Sequence, residues 1–350
     1  MNINEERTIM NNFKKIGLSA LAGSMAMVSA HAVDATVKVE SQAIYSTAQG
    51  NEPGADAEKL NGKGIALDTD LHFTASGELD MGWTVSVAHV LDTSATVANS
   101  STQMAVGMGS LGTVQFNHIG GAASNAIDTV LPQAYEEPWD PGAGTNEGNI
   151  FGAALNKGSV TYKAPTFSLP MGMTLDLAAD YDPNANQIAP AAGGVGVDAA
   201  SGEAFVAKLA HDSGFTLGAG TMSVGNTSSA GAGAGEDGVT GYALYSNGGL
   251  SIGYQEFDYS AAAGAADSDG SGYALAYTAG DVTISYSVMD EQTKAIGSTA
   301  ALEEEEVSAF QAAYTMGGMT VAASLYEADN IEGVAGQKYE ETELSVSFAF

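Results

Sequence analysis

Two short segments carry oxygen ligands at a spacing that calcium loops use. They are Asp182-Pro183-Asn184-Ala185-Asn186 and Asp267-Ser268-Asp269-Gly270. Both begin like an EF-hand loop, in which alternate side chains bind the ion, but both lack the bidentate glutamate that closes such a loop. We therefore predict no resident cofactor. Calcium bound to a loop stays an open alternative, because carboxylates are abundant and the external medium supplies the ion.

Other residue types that could do chemistry do not form a site. The segment Gly231-Ala232-Gly233-Ala234-Gly235 has no strand and helix around it that would make it a nucleotide-binding turn. The histidines beyond residue 32 are scattered and show no metal-ligand spacing: His72, His89, His118 and His211. No local motif pairs a serine with a base. We expect no catalytic residues and no enzymatic activity.

Five carboxylates lie in one long segment without strand periodicity, residues 118–157. It also contains Tyr135 and Trp139, which could pack it against a wall, and Pro132, Pro138 and Pro141, which stiffen it. A structureless connection of 40 residues is uncommon unless it has a function. Either it packs into the interior, or it is a solvated surface loop. Its acidic residues are Asp128, Glu136, Glu137, Asp140 and Glu147.

The chain is strongly acidic and has no cysteine. It has 11 Lys and Arg against 42 Asp and Glu. Such a charge repels nucleic acid and anionic lipid, and it concentrates cations in any pore that it lines. The run Glu303 to Glu306 is interpreted as a solvated acidic patch on an outer loop. Without disulfides the fold must be closed in another way.

Residues 1–32 have the features of a secretory signal peptide. Lys14 and Lys15 precede an apolar stretch, and Ala30-His31-Ala32 is a small-x-small cleavage pattern. The acidic residues Glu5 and Glu6 suit a signal badly, so translation is expected to start at Met10. The alternative is an anchoring helix, for which the stretch is too short. The folded domain is then 33–350, and it contains no arginine.

From residue 33 onward apolar and polar residues alternate with a period of two, which is typical of β-strands. We predict sixteen strands: 33–47, 63–76, 79–91, 101–108, 111–117, 158–167, 173–182, 202–211, 215–224, 239–246, 250–259, 271–278, 281–290, 306–316, 319–328 and 340–350.

The connections between these strands alternate between tight and long. Gly77-Glu78, Gly109-Ser110, Asn247-Gly248-Gly249, Ala279-Gly280 and Gly317-Gly318 are predicted tight turns. An even number of antiparallel strands with short turns at one rim and long loops at the other indicates an all-β transmembrane barrel, with apolar side chains toward lipid and polar ones toward a wet lumen. A soluble β-sandwich would have the reverse orientation.

Three segments resemble the Gram-negative trimeric porins, nearest the alphaproteobacterial type. The C-terminal Leu344-Ser345-Val346-Ser347-Phe348-Ala349-Phe350 resembles the terminal assembly signal of outer-membrane barrels. The segment from Gly158 to Pro165 resembles the strand after the third loop, and Gly112-Thr113-Val114-Gln115-Phe116 resembles the strand before it.

The resemblance implies an outer-membrane channel for passive diffusion of small hydrophilic solutes. It implies a homotrimer, outer-membrane lipid as surroundings, and recognition of Phe348 and Phe350 by the barrel-assembly machinery. It also implies that 118–157 is a third loop folded into the pore, with its five carboxylates at the constriction.

The chain departs from the family at the wall opposite that loop. The arginines expected there are absent, and the predicted wall residues are Lys38, Asp68, Asp70, Lys163 and Lys208. Because rings of Asp and Glu select cations, we expect a preference for cations over anions. A substrate-selective channel and an adhesive barrel with a blocked lumen are the alternatives.

Overall fold

The computed structural model describes residues 34–50, 61–93, 97–137, 151–155, 158–185, 200–225, 235–261, 267–294 and 302–350. These contain seventeen strand segments: β1 (Asp34–Gly50), β2 (Gly62–Glu78), β3 (Thr84–Asp92), β4 (Ala98–Gly107), β5 (Thr113–Ile119), β6 (Val160–Lys163), β7 (Phe167–Leu169), β8 (Met173–Ala185), β9 (Ala200–His211), β10 (Phe215–Val224), β11 (Glu236–Asn247), β12 (Leu250–Ser260), β13 (Ser268–Ala279), β14 (Val282–Thr293), β15 (Glu305–Met316), β16 (Met319–Asp329) and β17 (Lys338–Ala349). No helix in the described ranges is long and apolar enough to cross a membrane. The predicted signal peptide lies outside them.

The strands form one closed antiparallel barrel. Each pairs with its neighbours in the chain, and β1 pairs with both β2 and β17, which closes the sheet. The short segments β6 and β7 both pair with β8 and are two parts of one barrel strand. Pro165 lies between them and has no N–H to donate to the ladder, so the predicted strand 158–167 is interrupted there. The predicted sixteen-stranded barrel is confirmed.

The barrel has its apolar side chains on the outside. Leu67 is 65% exposed and Tyr273 is 52% exposed, although both lie in the middle of long strands. Gln255 and Gln311, on the inward face, are each 1% exposed. This is the orientation of a transmembrane barrel rather than of a soluble sandwich.

Four of the five named turns lie where they were predicted, and each has a glycine with the positive φ that tight turns need, among them Gly109, Gly280 and Gly317. The predicted turn at Gly77-Glu78 is wrong. Strand β2 continues through Glu78, and the chain turns over residues 79–83, where the N–H of Gly82 donates to the carbonyl of Leu79. Gly82 supplies the positive φ of +79° that the turn needs. The turn is therefore located at this glycine, and β3 begins only at Thr84.

The run Glu303 to Glu306 is not uniformly solvated, which corrects the prediction. Glu303, Glu304 and Glu306 are exposed, but Glu305 begins β15, faces inward and is fully buried. One of its carboxylate oxygens accepts the N–H of Glu332. The alternation of the strand already applies at Glu305, and this places its side chain inside the barrel.

Candidate pore constriction

The segment after β5 runs inside the barrel. The N–H groups of Ala123 and Ser124 donate to the carboxylate of Asp180 on β8, at 3.0 and 2.7 Å. Farther along, the N–H of Ala134 donates to the hydroxyl of Ser285 on β14. The segment therefore follows the inner wall from β8 toward β15, as expected for a third loop folded into the lumen.

Two buried glutamines bind the backbone of this segment. Gln255 accepts the N–H of Val130 at 2.9 Å and donates to the carbonyls of Ile127 and Asp128. A primary amide offers both a donor and an acceptor, so it can pair with an extended backbone in the way that a strand would. Gln255 on β12 is thus a wall residue that positions the loop.

Gln311 on β15 makes the same kind of contact. Its Oε1 accepts the N–H of Tyr135 at 3.0 Å, and its Nε2 donates to the carbonyl of Glu136 at 2.6 Å. Neither glutamine was among the predicted site residues. Their only signal was a large amide at an inward position of a strand.

Glycines on the wall let the loop approach closely. A Cβ at Gly253 would lie 2.7 Å from Cδ of Pro132, and a Cβ at Gly272 would lie 2.8 Å from Leu131. Leu131 is 5% exposed and joins a cluster inside the barrel with Met289 and Tyr326. Because glycine has no side chain, these two wall positions leave room for apolar loop residues, and the packing of those residues fixes the position of the segment.

A second apolar cluster holds both ends of the segment against β8 to β11. Ile127 and Phe151 pack there beside Gly220, where an added Cβ would lie 2.7–2.8 Å from both side chains. Leu155 is fully buried in the same cluster. The two clusters together make the loop part of the folded interior, which excludes the solvated surface loop for its described residues.

Tyr135 reaches the strand that closes the barrel. Its hydroxyl accepts a hydrogen bond from Nε2 of Gln42 on β1 at 2.8 Å. Burial raises the pKa of Tyr135 to about 12, with the nearby carboxylates of Glu136 and Glu343 acting in the same direction. The hydroxyl is therefore neutral near pH 7. The described segment spans the lumen from β8 to β1.

The predicted loop carboxylates differ in their surroundings. Asp128 is half-buried and accepts the N–H of Thr129 and the side-chain amide of Asn125. Glu136 and Glu137 are also half-buried, and each makes further contacts. The other two predicted residues, Asp140 and Glu147, lie outside the described residues, as does Trp139.

Lys38, Lys163 and Lys208 face the lumen, and two of them are paired with carboxylates of the wall. Lys38 contacts Glu40 on the same strand, and Nζ of Lys208 lies 2.9 Å from Asp176 on the adjacent strand. Lys163 donates to Oε1 of Gln115 at 3.3 Å and has no carboxylate partner within the described ranges. The lysines therefore supply little uncompensated positive charge.

Three carboxylates of the barrel wall lie close together. Asp68 and Asp70 on β2 and Asp92 on β3 each offer an oxygen within 4.8 Å of the others. We call these residues the wall carboxylates. Asp92 was not among the predicted site residues, although it continues the inward positions of its strand. It lies directly opposite Asp70 in the β2–β3 register, which the sequence alone does not define.

The closed barrel and the internal loop define a transmembrane channel of the outer membrane. A family model described as Gram-negative porin matches residues 17–303. The chain belongs to this family, whose members are channels without enzymatic activity. No curated protein sequence matches the chain.

Solved structures of porins share the fold at low sequence identity. OmpF of Salmonella typhi in complex with daunomycin is 11% identical, with a TM-score of 0.64 over 91% of this chain and 97% of that one. An anion-selective porin from Comamonas acidovorans is 13% identical, with a TM-score of 0.64 over 91% of this chain and 100% of that one. A loop-deletion mutant of OmpT of Vibrio cholerae is 12% identical, with a TM-score of 0.63 over 90% and 99%.

The chain terminus takes part in barrel closure. The N–H of Phe350 donates to the carbonyl of Val39, and the N–H of Val39 donates to the carbonyl of Phe350. The rings of Phe348 and Phe350 are stacked, with centroids 6.1 Å apart, and Phe350 is 77% exposed on the outer surface. Its backbone is thus structural, whereas its side chain is available to an outside partner.

Proposed function

We propose that this porin is a general-diffusion channel for small hydrophilic solutes that prefers cations to anions. The observation that carries the proposal is the balance of charge on the inner wall. The wall carboxylates lie together, while Lys38 and Lys208 are each paired with a carboxylate of their own. Low-dielectric walls confine the field of such charges, which raises the local concentration of cations.

The fold alone does not decide the sign of the selectivity. The Comamonas porin of similar fold is anion-selective. The charges that line the lumen must therefore decide it, and in this chain they are mainly acidic. Rings of Asp and Glu side chains favour cations in channels generally.

A reconstitution experiment tests the proposal. Purified protein is inserted into planar bilayers with a salt gradient, and the reversal potential is measured for KCl and for salts of larger cations or anions. A reversal potential of the sign given by cation permeation supports the proposal, and anion permeation contradicts it. Conductance that saturates with one solute would instead indicate a substrate-selective channel, and no conductance would indicate a blocked barrel.

We also propose that the mature chain begins at Val33, assembles as a homotrimer and is recognised by the barrel-assembly machinery through Phe348 and Phe350. The first two points rest on the signal-like leader and on the family, and the third rests on the exposed terminal side chains. The intact mass of membrane-extracted protein tests the first point, since it should lack residues 1–32. Native mass measurement of the same sample tests the second.

A further inference from the structure

The two calcium-like motifs differ in how their first carboxylates are satisfied. In the second motif, Oδ1 of Asp267 accepts the N–H of Ala261 at 3.0 Å, and Oδ2 lies 3.9 Å from Nζ of Lys294. In the first motif, Oδ1 of Asp182 accepts the N–H of Asn184 at 2.8 Å, but Oδ2 has no hydrogen-bond partner within the described ranges. The first motif therefore has a buried carboxylate oxygen that the described residues leave without a hydrogen bond, whereas both oxygens of Asp267 have a polar neighbour.

Two oxygens of this first motif are buried and have no hydrogen-bond partner among the residues that the structure describes. Asp182 is 1% exposed, and its Oδ2 is one of them. Oδ1 of Asn184 is the other. Two residues earlier on the same face, Asp180 accepts hydrogen bonds from Ala123, Ser124 and Thr161. Both oxygens of Asp180 are thus satisfied, in contrast to Oδ2 of Asp182.

The surroundings of Asp182 make the unpaired oxygen costly. It lies opposite Gly202 in the β8–β9 register, and a Cβ at that glycine would lie 2.4 Å from Leu155 and 3.1 Å from Ala185. Leu155 and Ala185 are fully buried in an apolar cluster. An ionised carboxylate next to such a cluster is stable only when a cation, a donor or a proton compensates it.

We propose that Asp182 and Asn184 bind a calcium ion at the end of β8. Carboxylate and side-chain amide oxygens are the ligands that calcium takes, and its flexible coordination allows water to fill the remaining positions. The register between Asp182 and Ala185 is irregular, so Asn184 lies outside the regular ladder and its amide is available as a ligand. Magnesium, which demands a nearly ideal octahedron, fits such an irregular strand end less well.

The ion would connect the wall to the returning end of the pore loop. Leu155, beside the site, belongs to the described part of that loop. A bound ion should therefore stabilise the junction of β8 with residues 151–155. Sites of this type in extracellular proteins have dissociation constants on the order of 10⁻⁴–10⁻³ M.

The test uses the full-length protein in detergent, with calcium chloride as the probe. The unfolding temperature is measured in EDTA and across a calcium titration up to 10 mM (about tenfold above the expected constant). The wild type should gain a few degrees with a saturable midpoint. Asp182→Asn should lose this gain and should be the more stable protein in EDTA, because it no longer buries an unpaired charge. Asp267→Asn, whose carboxylate is already satisfied, should keep the gain.

Terbium luminescence gives a second measurement on the same variants, since terbium replaces calcium at oxygen sites. The proposal predicts a calcium-displaceable component that Asp182→Asn lacks and Asp267→Asn retains. Asn184→Ala should shift the calcium midpoint to higher concentration without removing saturation. An equal calcium effect in wild type and Asp182→Asn would overturn the proposal, because it would reflect general binding to an acidic surface. An absent calcium effect in wild type would also overturn it and would assign the buried oxygen to a proton.

Discussion

The ammonium group of Lys208 lies 2.9 Å from the carboxylate of Asp176, the residue directly opposite it on the neighbouring strand. Asp176 also accepts a hydrogen bond from Thr166 at 2.6 Å, so its carboxylate is held from two sides. A lysine held in this way presents a compensated charge to the lumen. The fixed charge that acts on a passing ion then comes mainly from carboxylates elsewhere on the wall.

The wall carboxylates should therefore determine the charge selectivity. Replacing Asp68, Asp70 and Asp92 together by Asn keeps side-chain size and removes three negative charges. Cation preference, measured as a reversal potential, should fall clearly in dilute salt. It should fall less at 1 M, where the Debye length is ~3 Å. The remaining acidic residues should prevent reversal of the selectivity.

A triple replacement of Glu303, Glu304 and Glu306 by Gln is the matched control, because these carboxylates are exposed at the outer rim. It removes the same charge and should change the reversal potential much less. A third set, Asp128, Glu136 and Glu137, tests the loop, and we expect an effect between the other two. Equal shifts from all three sets would mean that selectivity depends only on total charge.

The loop position should depend on the glycine at 253. Gly253→Ala places a Cβ 2.7 Å from Pro132 and 3.1 Å from Leu131, so the loop must move away from the wall and narrow the lumen. Single-channel conductance should decrease. Gly241→Ala is the control, since its Cβ would meet only the carbonyl of Gly218 at 3.9 Å. If both variants conduct alike, the loop does not set the width of the pore.

Gln311 should hold the same loop through its hydrogen bonds. Gln311→Leu leaves the N–H of Tyr135 and the carbonyl of Glu136 without these partners, at a cost of about 1–3 kcal/mol if they stay buried. We expect noisier open-channel current and faster proteolysis within the loop. Gln311→Glu keeps an acceptor for Tyr135 but places a charged oxygen against the carbonyl of Glu136, so it should also loosen the loop at that carbonyl. Quiet current in Gln311→Leu would contradict a positioning role.

The period-two pattern predicted the strands, and the alternation of tight and long connections between them then predicted the barrel rather than a soluble sandwich. It could not locate the turn after β2, because Gly77 and Gly82 both suit a turn and only pairing with β3 distinguishes them. The internal loop was expected from the family resemblance and from the length of the segment. Its wall partners Gln255 and Gln311 contact loop residues far away in sequence, and the place of Asp92 beside Asp70 depends on the β2–β3 register; a single sequence reveals neither.

The terminal phenylalanine provides a test of assembly. The backbone of Phe350 is paired with Val39, and this pairing survives any substitution of the side chain other than proline. Its ring is exposed on the outside and stacked only on Phe348 among the described aromatic rings. Phe350→Ser should therefore leave barrel closure intact while removing the apolar end of the proposed assembly signal. We expect the amount of folded protein in the outer membrane to fall severalfold, while the channels that do assemble keep the wild-type conductance.

Phe310→Ser is the control for this last variant, because Phe310 is also an outward aromatic residue, 48% exposed in the middle of β15. It loses comparable lipid contact but lies far from the terminus. Heat-modifiable mobility in gels separates folded from unfolded barrels and measures both variants directly. An assembly signal requires a larger loss for Phe350→Ser than for Phe310→Ser. Equal losses would show that the ring contributes only lipid-facing area, and the proposed recognition by the assembly machinery would then be wrong.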